Sequence, residues 1–287
     1  MKLVMVHGRS QQGKDEAKLK KEWLDALAYG LARADKKLPA GTTVEFPYYG
    51  NLLAELVEET NTPLGASINA KGPNPDGGSD ADFRGEVLDE IARSLGLTDA
   101  DIQRELSGPT RKGPANWEWV QAIMRAIDRV PGINTEAIDL FTRDVFVYLT
   151  FPGVTRKINN QINASIGAGP CVVLAHSLGT IVAYNVLRHG GVGLKCPRFV
   201  TVGSPLGIKA IKRYLETPLE SPACVSSWFN AYDERDFVAL IPLDSRNFDV
   251  APPIENNKAV NNFTDNRHGI AGYLSDPVVA SKLVESL

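Results

Sequence analysis

Ala175-His176-Ser177-Leu178-Gly179 carries the sharpest chemical signal in the chain. The apolar, β-prone run Cys171-Val172-Val173-Leu174-Ala175 leads into it, and residues 178–188 leave it with the character of an apolar helix. A strand that turns at once into a helix needs small residues at the crowded turn, and Ala175 and Gly179 supply them. The serine at the tip then projects its hydroxyl above the sheet. The first N–H groups of the helix face an oxygen placed there. That combination suits attack by the hydroxyl on a carbonyl carbon, with main-chain donors holding the oxyanion that develops.

A serine hydroxyl of ordinary acidity needs a base. The chain offers four histidines. His7 stands directly before Gly8 and reads as a brace for the loop that follows. His176 adjoins the serine, where consecutive side chains at a turn diverge. His189 ends the helix after the turn, where a cation suits the helix dipole. His268, in the loop Asn266-Arg267-His268-Gly269, remains as the candidate base.

The 175–179 segment resembles the GxSxG elbow of the α/β-hydrolases, in the GHSLG form common in lipases and esterases, with Ala175 in place of the first glycine. The resemblance covers the chain apart from about residues 50–140. It implies a doubly wound, mostly parallel sheet and a triad in the chain order Ser, acid, His, which Ser177 and His268 fit. His7-Gly8-Arg9-Ser10-Gln11 is similar to the family's oxyanion loop. The implied donors are the N–H groups of Leu178 and Arg9, or of Ser10 if the loop is offset. Asp236-Phe237-Val238 resembles the Asp-Pro-Val that carries the acid in related lipases and esterases. Asp236 is therefore favoured, with Asp233, nearer the strand end, as its rival; Asp244 and Asp249 come later in the chain. Gly203-Ser204-Pro205-Leu206-Gly207 resembles a loop of lipase-like proteins and is expected to wall the site.

The implied activity is cleavage of a carboxylic (acyl or lipid) ester through a Ser-His-Asp triad and an acyl-enzyme. Amide and thioester hydrolysis use the same constellation. A non-catalytic interaction module on the same fold is the alternative from another class, as is a scaffold docking a partner through residues 71–79.

These residues need an α/β frame. Residues 3–7 read as a buried strand and 14–37 as a helix, with Leu19, Trp23, Leu24, Leu27 and Leu31 at helical spacing. Residues 42–46 read as a second strand, and strand–helix–strand predicts a parallel α/β sheet. Helices are expected over 51–60, 83–95, 116–130 and 135–149, with a loop over 61–80 that includes the turn-rich run 71–79. We read residues 50–140 as an α-helical insertion, a lid or cap, within a single domain of residues 1–287. Phe83, Trp117 and Trp119 either line a pocket there or pack its helices. The alternation resumes with a helix at 155–166, then strand 171–175, helix 178–188, strand 198–202, helix 208–215, strand 225–232 and a last helix at 276–287.

Composition narrows the alternatives. Across 287 residues, 31 Lys and Arg against 34 Asp and Glu leave a net charge of −3, so no basic excess points to nucleic acid. No apolar run reaches about 18 residues, so no integral membrane segment is expected. The three cysteines lack metal-ligand spacing, and Asp15 stands where a phosphate loop after Gly8 and Gly13-Lys14 needs Ser or Thr. With no dinucleotide fingerprint either, no cofactor is expected. The expectation is a cytoplasmic protein acting on a small-molecule acyl ester or lipid.

Overall fold

The computed structural model describes residues 1–60, 80–106, 108, 110–113, 116–133, 135–191 and 193–287. Residues 61–79, which include the turn-rich run at 71–79, lie outside the described residues.

The frame is a sheet of seven strands: β1 (Lys2–Val6), β2 (Thr43–Glu45), β3 (Gly169–His176), β4 (Leu194–Lys195), β5 (Phe199–Val202), β6 (Trp228–Ala231) and β7 (Glu255–Asn257). Their order is β2-β1-β3-β5-β6-β7, with β4 beside the start of β3. Every pair of named strands is parallel. Parallel strands need crossover connections, and helices from those connections cover both faces. The central strands are accordingly apolar and almost wholly buried, where a half-exposed sheet would alternate.

The chain divides into two compact units, Met1–Glu55 with Arg156–Gly207 and Leu215–Leu287, and Leu56–Thr155 with Ile208–Tyr214. The first unit holds the sheet. Helix α1 (Glu16–Arg33) is capped by Asp15, whose side chain accepts the Lys18 N–H at 2.8 Å. It buries Leu19, Trp23, Leu27 and Leu31 over Leu3, Met5, Val172, Leu174, Val200 and Val202. Sharing that face are Tyr273 and Leu274 of α10 (Ile270–Leu274) and Val279, Ala280 and Leu283 of α11 (Pro277–Val284). Asp276 caps α11, and Pro277 takes its first turn, where a missing N–H costs nothing. Helix α8 (Leu178–Arg188) packs on β3 and β1. Its Tyr184 meets Trp228 and Phe248, with ring centres 5.6 and 5.5 Å apart.

The second unit is helical among its described residues. It comprises α3 (Asp80–Ser94), α4 (Asp99–Gln103), α5 (Trp117–Asp128) and α9 (Lys209–Lys212), with α6 (Thr135–Thr150). Helices α2 (Gly50–Thr60) and α7 (Pro152–Ile166) carry the chain across the boundaries between units. Phe83 and Trp119 are buried within this unit, Phe83 against Phe146 and Tyr214. Trp117 is 46% exposed, with the Arg84 guanidinium 5.5 Å from its ring centre. Glu90 accepts the N–H groups of Lys209 and Ala210, both at 2.9 Å, and so holds the start of α9. The described helices contain none that is long and apolar enough to cross a membrane.

Candidate active site

The register of the sheet brings the candidate residues together. Val6 of β1 pairs with Ala175 of β3, so Gly8 arrives beside Ser177. His176 pairs with Val202, and Val202 with Ala231, which sets Gly203 and Asp233 along the same edge. Neighbouring β1 leads through α1 to β2 on one side, while β3 lies on the other. The crevice at the carboxyl ends of such strands is where open α/β sheets bind ligands.

Ser177 sits between β3 and α8 with φ 57° and ψ −132°, a conformation that a non-glycine residue seldom adopts and that costs about 1–3 kcal/mol. The Thr180 hydroxyl steadies the turn by donating to the Ser177 carbonyl at 2.7 Å. On Gly179 a Cβ would stand 2.4 Å from the His7 carbonyl oxygen, so the elbow admits no larger side chain there.

His268 approaches the serine with Nε2 2.8 Å from the Ser177 Oγ. Its Nδ1 lies 2.7 Å from Oδ2 of Asp236, which is fully buried. A carboxylate accepts only, so Nδ1 carries the proton and Nε2 is left to accept the serine hydroxyl. Oδ1 of Asp236 accepts the Val238 N–H at 3.0 Å. Its other oxygen also accepts the hydroxyl of Tyr273, a residue of α10. Burial, and then the neighbouring Asp236 carboxylate, push the Tyr273 phenol well above its usual range, so it remains a donor.

Asp233 has different work. Its carboxylate accepts the Arg235 N–H at 2.9 Å and the Asn262 N–H at 2.8 Å, with the Arg235 guanidinium alongside. It ties the loop after β6 to the loop that leads to His268. The structure therefore joins Ser177, His268 and Asp236 in one line of hydrogen bonds and leaves the rival acid outside it.

Leu178 opens α8, where the N–H has no acceptor within its own helix. Arg9 follows Gly8 in the loop after β1, and its carbonyl accepts the Gln11 side-chain amide at 2.7 Å. Ser10 has φ 58°. His7 is buried beneath this loop. Its Nδ1–H donates to the Gly8 carbonyl at 2.7 Å, while Nε2 accepts the Tyr49 N–H at 3.0 Å. The Tyr49 ring stacks on it at 4.1 Å. Burial pushes the imidazole down to about 4. His176 is held well below its usual range, by burial and then by His268, and its Nε2–H donates to the His268 carbonyl at 2.7 Å. His189 caps α8 instead, with Nδ1 2.8 Å from the Asn185 carbonyl. In the Gly203–Gly207 loop, the Ser204 hydroxyl bonds that of Thr180 at 2.9 Å.

Among the described residues, no group of three His, Cys, Asp or Glu is placed to hold a metal ion. The cysteines are free, and burial pushes the Cys171 thiol up to about 11, which leaves it a poor nucleophile near neutrality. Sequence reasoning missed Tyr273 and the tying role of Asp233. Neither has a local signal, since each acts through residues far away in the chain. No family model matches the chain, and no curated protein was found to be similar to it.

Proposed function

We propose that this protein is a serine hydrolase of carboxylic (acyl or lipid) esters, with Ser177 as nucleophile, His268 as base and Asp236 as acid. The observation that carries the reading is the hydrogen-bonded line from the Ser177 Oγ through His268 to Asp236, at 2.8 and 2.7 Å, at the tip of a strand-to-helix turn. The family reading, an α/β-hydrolase sheet with a helical insertion, belongs to the same proposal.

Ser177 Oγ attacks the ester carbonyl while His268 Nε2 takes its proton. The oxyanion is held by the N–H groups of Leu178 and Arg9. Asp236 stabilises the imidazolium without taking its proton. The imidazolium protonates the departing alkoxide, and an acyl-serine remains. Water then attacks the acyl carbon, giving its proton to His268. Collapse of the second tetrahedral intermediate frees the acid, and the imidazolium returns a proton to Ser177.

The test is turnover of p-nitrophenyl esters from acetyl to palmitoyl, together with labelling by a fluorophosphonate probe. Wild type should turn over and be labelled, and Ser177→Ala should do neither. Equal turnover by the two proteins refutes Ser177 as nucleophile. A wild type that neither turns over nor is labelled favours the non-catalytic module.

A further inference from the structure

We propose that Tyr273 is a positioning residue that weakens the hold of Asp236 on the His268 proton and thereby sets the pH at which His268 becomes available as a base. The inference rests on the triad reading above and extends it to a fourth side chain. Oδ2 of Asp236 is shared between two donors, His268 Nδ1 at 2.7 Å and the Tyr273 hydroxyl. All three groups converge on one point. A Cβ added to Gly203, at φ +57°, would stand 3.1 Å from His268 Cε1, 3.1 Å from Tyr273 Cε2 and 3.2 Å from Asp236 Oδ2. The phenol oxygen also accepts the Asp233 N–H at 3.3 Å, and a hydroxyl that accepts one hydrogen bond donates a stronger one.

The oxygen is buried, so its two donors divide the carboxylate charge between them without competition from water. Removing the phenol hydroxyl leaves His268 as the only side-chain donor on that oxygen among the described residues. The imidazolium is then stabilised more strongly than the neutral ring. Among the described residues, the other titratable groups about His268 are Ser177, His176, with its ring centre at 4.7 Å, and beyond Tyr273 the Asp233 carboxylate with Arg235 and Arg267. His176 stays neutral in its buried place, and the Asp233 charge is met by the two guanidinium groups. The Asp236 contact therefore dominates.

Tyr273→Phe keeps the ring and loses the hydroxyl. The acid limb of kcat/KM for p-nitrophenyl butyrate should move to higher pH by about half a unit to one unit, the size expected for one such hydrogen bond. The His268 ring-proton resonances, followed by NMR, should shift their midpoint upward by the same amount. A role in packing alone would lower kcat and leave both midpoints in place, and unmoved or lowered midpoints overturn the proposal. If Tyr273→Phe does not fold, 3-fluorotyrosine at position 273, a stronger donor of nearly the same shape, must move the NMR midpoint down. An unmoved midpoint there is equally fatal. Absence of both turnover and fluorophosphonate labelling in wild type sinks the hydrolase reading, while the NMR midpoints still decide the role of Tyr273.

Discussion

The side chain of His176 holds the main chain of His268: its Nε2 lies 2.7 Å from the His268 carbonyl oxygen. The residue next to the serine thus anchors the loop that delivers the imidazole. His176→Ala should lower kcat for p-nitrophenyl butyrate by about 100-fold, with KM little changed, because a small displacement of a reacting group costs that much. A kcat within twofold of wild type would remove His176 from this role.

The two acids separate by substitution. Asp236→Asn should lower kcat by about 10⁴-fold, since an amide cannot hold the imidazole in the required tautomer. Asp233→Asn should leave kcat within a few fold but lower unfolding free energy in urea by about 2 kcal/mol, through weakened bonds to a buried carboxylate. The opposite pattern would make Asp233 the acid.

Gly8 lies against Ser177, and a Cβ added to it would stand 2.7 Å from the Ser177 Cβ. Gly8→Ala should therefore displace the serine and cut kcat by about 100-fold. Circular dichroism should show the fold retained. Full activity in this variant would show that the loop after β1 yields freely.

Acid should loosen the fold through its buried histidines. His7 titrates at about 4 when folded against 6.5 for the free side chain. Between those values the unfolded chain binds the extra proton, so stability is present above pH 6.5 and lost as pH falls to 4. The loss from His7 is about 3 kcal/mol, and His176 adds to it with the same sign. Urea midpoints measured from pH 7 down to 5, above the range in which ordinary carboxylates titrate, should fall steadily. A flat profile would show that neither ring is neutral and buried.

The elbow is legible in the sequence because its determinants are neighbours: an apolar run, two small residues and an apolar helix. Other parts are not. β4 has two residues, and β7 is the polar Glu255-Asn256-Asn257 at the sheet edge, too short and too polar for any alternation. α10 spans five residues, so Tyr273 shows no helical period. The bond between Tyr273 and Asp236 spans 37 positions and leaves no mark on local composition. Asp233 and Asp236 share one turn and differ only in what lies opposite each once the chain has folded.

Gly8 and His268 meet at the same serine across most of the chain's length, and α1 shares its apolar bed with residues 273–283. During synthesis, then, the Ser177 hydroxyl emerges from the ribosome long before the His268 imidazole. A nascent chain halted before residue 268 holds the hydroxyl without the imidazole and has the flank of α1 uncovered. On the proposed reading, a chain made only as far as residue 267 would leave the esters around it untouched.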